Sequence, residues 1–117
     1  MKAIKISSRK AKGGRLERKW ASLLRTFGLD KEARRMIGSG AFDDYKGDVY
    51  TKLPFVFECK NNENHKIWQE FEQAQEQRKP FKTPILVISG NHRPILAVML
   101  GQDFLNLLLE NKQLNEK

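Results

Sequence analysis

Glu58 and Lys60 stand two residues apart in the run Phe55-Val56-Phe57-Glu58-Cys59-Lys60, which Pro54 opens and Asn61-Asn62 closes. Its composition is that of a strand. Side chains alternate faces along a strand, so Val56, Glu58 and Lys60 share one face and Phe55, Phe57 and Cys59 the other. Alone, such a carboxylate and ammonium make a terminal ion pair and nothing more. Ten residues upstream, however, Asp48 follows Gly47 and opens a second short strand over roughly 48–52. A hairpin of the two strands sets Asp48 beside Glu58 and Lys60. Two carboxylates this close repel unless a cation lies between them. A hard divalent ion answers that need, and Mg²⁺ takes one or two carboxylates, waters and a substrate phosphate. The matching chemistry is hydrolysis of a phosphodiester, with the ion acidifying a bound water and stabilising charge at phosphorus. Lys60 would position or help deprotonate that water and offset phosphate charge.

Elements of recognisable type must hold these groups. Leu16, Trp20, Leu23, Leu24 and Phe27 recur at helical spacing and Gly28 follows, which predicts an amphipathic helix from Arg15. Glu17 lies at the edge of its apolar stripe, placed to reach into a cleft and supply or orient a third carboxylate. Residues 34–47 read as a short strand or turn and then a flexible loop, with Gly38-Ser39-Gly40 and Asp43-Asp44. A second helix is expected over 65–79, with Ile67, Phe71, Ala74 and the Arg78 stem on one face. Pro84–Ile88 and Pro94–Met99 are apolar strands around a Gly90-Asn91-His92-Arg93 hairpin turn. Gln102 or Asp103 would cap a last helix carrying Phe104, Leu105, Leu107, Leu108 and Leu109. The order implies an α/β fold with a mixed central sheet of about five strands flanked by helices.

The chain of 117 residues fits one domain, and its 22 Lys and Arg against 14 Asp and Glu give +8. The excess is concentrated: residues 1–35 hold twelve basic and three acidic residues, and the remaining 82 come close to balance. We therefore expect a basic flexible arm over 1–13 and a single domain over 14–117. A polyanion gains from releasing condensed counterions against such a segment, although a solvated basic tail has the same composition. The arm's Lys10 and Lys12, with Arg15 just beyond it, are candidate phosphate contacts. No apolar run reaches the roughly 20 residues that cross a bilayer, so no membrane partner is expected. The N-terminus lacks the apolar core of a secretory signal, and one cysteine excludes an internal disulfide framework, so the expected location is a reducing interior, cytoplasmic or nucleoid-associated.

Gly47-Asp48 followed by Glu58-Cys59-Lys60, behind a helix bearing a Glu, resembles the PD-(D/E)XK nuclease superfamily. More narrowly, the chain resembles Holliday junction resolvases of the archaeal Hjc type and their phage-encoded relatives. Lys12-Gly13-Gly14-Arg15-Leu16-Glu17-Arg18 is similar to their Lys-Gly-x-x-x-Glu-Arg opening, Arg35 with Gly38-Ser39-Gly40 to their Arg-x-x-Gly-Ser loop, and Pro94–Val98 to their Pro-x-Leu-Ala-Val strand. The resemblance implies a restriction-endonuclease-like fold and a metal-dependent endonuclease making paired incisions in four-way DNA junctions. It implies Glu17, Asp48 and Glu58 as the metal-site acids with Mg²⁺ (Mn²⁺ substituting), the Cys59 backbone carbonyl as a further ligand, and Lys60 as the catalytic lysine. It also implies Arg18, Arg35 and Ser39 at DNA phosphates and Gln69 or Gln73 as an accessory group. A Gly where many members have Pro, and longer intervals between motifs, are departures. Other duties within the superfamily, or a non-catalytic basic DNA-binding module, are the competing readings.

The remaining candidates read as structural. Cys59 faces the Phe55/Phe57 side and is expected in the core. His65 and His92 have no partner at metal spacing and read as surface or turn residues, and Trp20 and Trp68 as packing residues. The C-terminal leucines cover more than one helical face. Either the sheet buries them all, or they form the interface of a homodimer whose two-fold axis matches that of a four-way junction.

Overall fold

The computed structural model describes residues 6–36, 48–77 and 82–116, with side chains from Gly14 onward. In chain order the elements are α1 (Ile6–Thr26), β1 (Arg34–Arg35), β2 (Val49–Tyr50), β3 (Phe55–Asn61), α2 (Ile67–Glu76), β4 (Thr83–Ser89), β5 (Leu96–Val98) and α3 (Gly101–Asn115). Helix α1 begins at Ile6, so residues 6–13 of the expected arm have helical backbone. It stops where the sequence says it must. Gly28 takes φ +74°, its amide donates to the Arg25 carbonyl and that of Leu29 to the Leu24 carbonyl. That 5→2 and 6→1 pair closes a Schellman cap, whose left-handed residue a Cβ would strain.

The five strands divide into a three-stranded mixed sheet, β3-β4-β5, and a two-stranded ladder, β1-β2. Strands β3 and β4 pair in parallel over their whole length, from Phe55 with Thr83 to Asn61 with Ser89. Helix α2 forms the crossover that parallel pairing requires. Strand β5 returns antiparallel, with Leu86 opposite Val98 and Ile88 opposite Leu96. Because β3 and β4 are covered on both faces, their middles are buried without alternation. On one face Leu16, Ala21 and Leu24 of α1 pack with Phe57, Cys59, Ile85 and Val87. On the other, Phe71 and Ala74 of α2 close on Leu86 and Ile88. Trp20 meets Phe57 edge-on, with ring centroids 5.5 Å apart, and Cys59 is buried with its thiol pKa pushed up by desolvation. Cys59 lies in the core and the partly buried Trp20 packs against it, as expected.

The β2–β3 hairpin does not form. Strand β2 pairs with β1 instead, Arg34 with Tyr50 and Arg35 with Val49. The cause is Asp30. Its Oδ2 accepts from the Thr51 hydroxyl at 2.6 Å and the Lys52 amide at 2.8 Å, while Oδ1 takes the Glu32 amide at 2.9 Å. The chain after Tyr50 is thus tied to the α1–β1 corner, and its amide donors are spent before they could build a ladder with β3. Two helical expectations also change. Trp68 is 84% exposed rather than packed. Helix α3 has Leu100 at its N-cap with no side-chain cap, in place of Gln102 or Asp103, and no residue of α3 is buried. The sheet therefore does not cover the C-terminal leucines.

Candidate active site

Asp48 reaches β3 without a hairpin, through two hydrogen bonds. Its amide donates to the Phe57 carbonyl at 2.9 Å, and its Oδ2 accepts from the Cys59 amide at 2.7 Å. These straddle Glu58, so Asp48 is held where the sequence reading required it, by one stitch rather than a ladder. On β3, Lys60 Nζ lies 3.6 Å from Glu58 Oε1, the expected same-face pair. From α1, Glu17 is half-buried and accepts from Arg35 Nε at 2.8 Å. Gly14, one turn before Glu17, makes room for that pair: a Cβ there would stand 3.0 Å from the Arg35 guanidinium carbon and 3.3 Å from an Arg18 nitrogen. A helix-interior glycine costs about 1 kcal/mol relative to alanine, so its presence in sequence was the readable sign of a close approach.

The electrostatics are those of three acids whose largest common influence is desolvation by burial. Burial, the largest influence, raises the pKa of Asp48 against the pull of the Cys59 amide and the Lys60 and Arg35 charges. Burial likewise raises that of Glu17, aided by the charge of Asp48 and opposed by the bond to Arg35. Glu58 is the extreme case. Desolvation first and the charge of Asp48 second push it up to about 7, with Lys60 opposing and Glu17 adding to the rise. Its side chain is only 7% exposed, and Oε2 is buried without a hydrogen-bond partner. A buried acceptor left unpaired costs about 1–3 kcal/mol, more when charged. Such strain is what a bound cation would relieve, and clustered perturbed groups of this kind mark functional sites more often than structural ones.

The three acids do not form a ready-made ligand cage. Among the described residues no group of three His, Cys, Asp or Glu side chains is placed to hold a metal ion. Each carboxylate turns instead to its own partner, Asp48 to the Cys59 amide, Glu17 to Arg35 and Glu58 to Lys60. Mutual repulsion explains the divergence. The donor set nonetheless fits a hard divalent ion, since carboxylate oxygens are its preferred ligands and Glu58 Oε2 is left over.

The other expected residues are scattered more widely. Arg15 and Arg18 are exposed on α1, and Arg35 is committed to Glu17. Lys10 and Lys12 lie on helical backbone, with side chains outside the described residues. Ser39, the Gly38–Gly40 loop, Asp43-Asp44 and Arg78 also fall outside them. Gln69 and Gln73 are exposed on α2 and share no hydrogen bond with the acids among the described residues. His65, expected at the surface, is a tie. Its Nδ1 lies in hydrogen-bond contact with Glu70 Oε1 and its Nε2 with the Ser89 carbonyl, both at 2.8 Å. Only the five-residue spacing to Glu70 hinted at this, since the Ser89 contact is long-range.

Searches of curated proteins and of solved structures give no match. A family model described as "Phage putative PDDEXK endonuclease" matches residues 8–116. That span holds Glu17, Asp48, Glu58 and Lys60, and nearly the whole fold around them. The α/β frame with its mixed sheet, the Asp48 stitch onto the Glu58-Cys59-Lys60 strand and this match agree: the chain belongs to the phage PDDEXK endonuclease family of the PD-(D/E)XK nuclease superfamily.

Proposed function

We propose that the protein is a divalent-metal-dependent, structure-specific DNA endonuclease, and that its substrate is branched DNA, foremost the four-way junction, as in Holliday junction resolvases. The observation that carries the metal-dependent chemistry is Glu58 Oε2, buried and unpartnered, next to Asp48 and beside Lys60. Asp48 and Glu58, with the Cys59 carbonyl, would hold Mg²⁺ or in its place Mn²⁺, and Glu17 would join directly or through a water. Such an ion supplies Lewis acidity at the phosphate and a more acidic water. The chain's own groups do the rest. The Cys59 amide fixes the Asp48 carboxylate against the strand. Lys60, partly exposed at the polar end of β3, orients the attacking water and offsets charge on the phosphate. Arg35 keeps the Glu17 carboxylate aimed inward through their 2.8 Å bond.

The junction reading rests on the motif resemblance and on α3. Phe104, Leu105, Leu108, Leu109 and Leu114 are each at least half exposed, and Leu96 and Leu100 extend the apolar surface toward β5. Pairing such helices would bury apolar side chains that the fold leaves in water. A two-fold dimer through α3 would present two active sites to a two-fold substrate. No helix among the described residues is long and apolar enough to cross a membrane, and we place the work of the enzyme on DNA in the host cytoplasm.

The decisive experiment compares cleavage of an immobile four-way junction, a linear duplex, a flap and a single strand, each with and without Mg²⁺. Paired symmetric cuts in the junction alone are expected. Lys60→Ala and Asp48→Asn should each lower cleavage by about 10²-fold or more while junction binding persists. Equal cutting of linear duplex would discard the junction specificity and keep the nuclease. No cutting with either Mg²⁺ or Mn²⁺ would discard both.

A further inference from the structure

Between α1 and the β4–β5 turn runs a groove of about 680 Å³ whose lining includes Arg15, Arg18, Lys19, Ser22 and Arg25 of the helix and Arg93 of the turn. Among the described residues no Asp or Glu lines it. The five helix residues recur at spacings of three and four, which gathers them on one face. At 100° per residue Arg15, Lys19 and Ser22 lie about 140–200° round the helix from Glu17, and Arg18 and Arg25 about 80–100° from it, so the row starts beside the acid's flank and extends onto the opposite face. From Arg15 to Arg25 the row is about 15 Å long, the axial length of roughly four phosphates on one strand of B-DNA. The far wall is fixed. Gly90 packs so tightly that a Cβ would come within 2.8 Å of the Asn62 carbonyl oxygen. The Arg93 amide donates to the Gly90 carbonyl at 3.2 Å, and the Ser89 hydroxyl donates to the Arg93 carbonyl at 3.2 Å. Arg93 is thereby carried at a set position opposite the helix.

We propose that this groove seats the phosphate backbone of a duplex DNA arm, at phosphates other than the one that is cut. The proposal rests on the nuclease reading for the identity of its polyanion. It adds Lys19 and Arg93 to the residues that touch substrate, while Arg25, whose guanidinium donates to the Ala33 carbonyl at 2.5 Å, bounds the end of the row, and it separates the grip on an arm from the chemistry. Its signature is electrostatic: each phosphate contact contributes about 0.9 to the slope of log affinity against log salt.

The test measures binding of the full chain to a duplex and to a four-way junction in EDTA, where no cutting intervenes, across a salt series. Lys19→Gln with Arg93→Gln is compared with Lys52→Gln with Lys112→Gln, which removes the same net charge from exposed residues outside the groove. The groove pair should lose close to two units of slope (about 0.9 for each contact) and tenfold or more in affinity at moderate salt. The remote pair should lose much less. Equal losses in both would reduce the effect to net charge and overturn the groove. Since no cleavage enters this measurement, a wild type that cuts nothing but shows the groove-dependent slope leaves this proposal standing while the nuclease reading falls.

Discussion

Replacing Glu58 by Gln should make the metal-free protein more stable, the reverse of what removing a buried ion-pair partner usually does. The folded chain holds the Glu58 proton up to about pH 7, against an ordinary carboxyl value of 4.5. Between those values the unfolded chain has released a proton that the folded chain keeps, so stability falls as pH rises and then levels off. At about 1.4 kcal/mol per pH unit the loss is roughly 3 kcal/mol. The Gln variant escapes it, forfeiting the 3.6 Å contact to the partly exposed Lys60, worth at most about 1 kcal/mol. A net gain of roughly 2 kcal/mol remains at pH 8, which at typical urea sensitivities of 1–3 kcal/mol per molar moves the midpoint by about 1 M. Urea denaturation in EDTA at pH 4.5 and pH 8 reads both numbers, the variants differing little at the lower pH. Adding Mg²⁺ at pH 8 should stabilise the wild type by mass action and leave Glu58→Gln nearly unmoved. A Gln variant no more stable than the wild type at pH 8 in EDTA, or one stabilised equally by Mg²⁺, refutes the idea that Glu58 is a strained acid awaiting a cation.

Asp30→Ala should destabilise the fold by about 2–4 kcal/mol in thermal or chemical denaturation, since it unpairs the Thr51 hydroxyl and the Lys52 and Glu32 amides together. The Thr51 and Lys52 donors hold the Asp30 pKa below its usual 3.8. Its contribution is therefore present above pH 3.8 and lost as acid titrates the folded carboxylate. At His65, burial lowers the pKa but the bonds to Glu70 and Ser89 outweigh it and leave it raised above 6.5. The stability it gives is full below pH 6.5 and fades as pH rises through the folded value, a trend that His65→Ala should erase in denaturation curves at pH 6 and 9. Leu105→Glu with Leu109→Glu should leave the monomer fold intact, because both residues are exposed. In analytical ultracentrifugation it should convert the proposed dimer to a monomer, and an unchanged mass would remove α3 from the interface.

The amino-acid order by itself determined what depends on neighbours a few positions apart. The helical stripe of Leu16, Trp20 and Leu24, the stop at Gly28, the alternation that pairs Glu58 with Lys60 and the turn at Gly90–Arg93 are all local, because helix, strand and turn have fixed short periods. The same-face spacing of Glu58 and Lys60 was legible for the same reason, while the approach of Asp48 was expected through a hairpin that does not form. Tertiary structure decided everything that needed a distant partner. Asp30 drew Thr51 and Lys52 away from β3, so Asp48 arrives by two hydrogen bonds instead of a hairpin. Arg35, expected on a phosphate, was turned onto Glu17 over the bare backbone of Gly14. His65 found Ser89 across 24 residues, while Trp68 and the leucines of α3 were left outside cores already filled. Burial is a property of the whole packing, and no short window of sequence contains it.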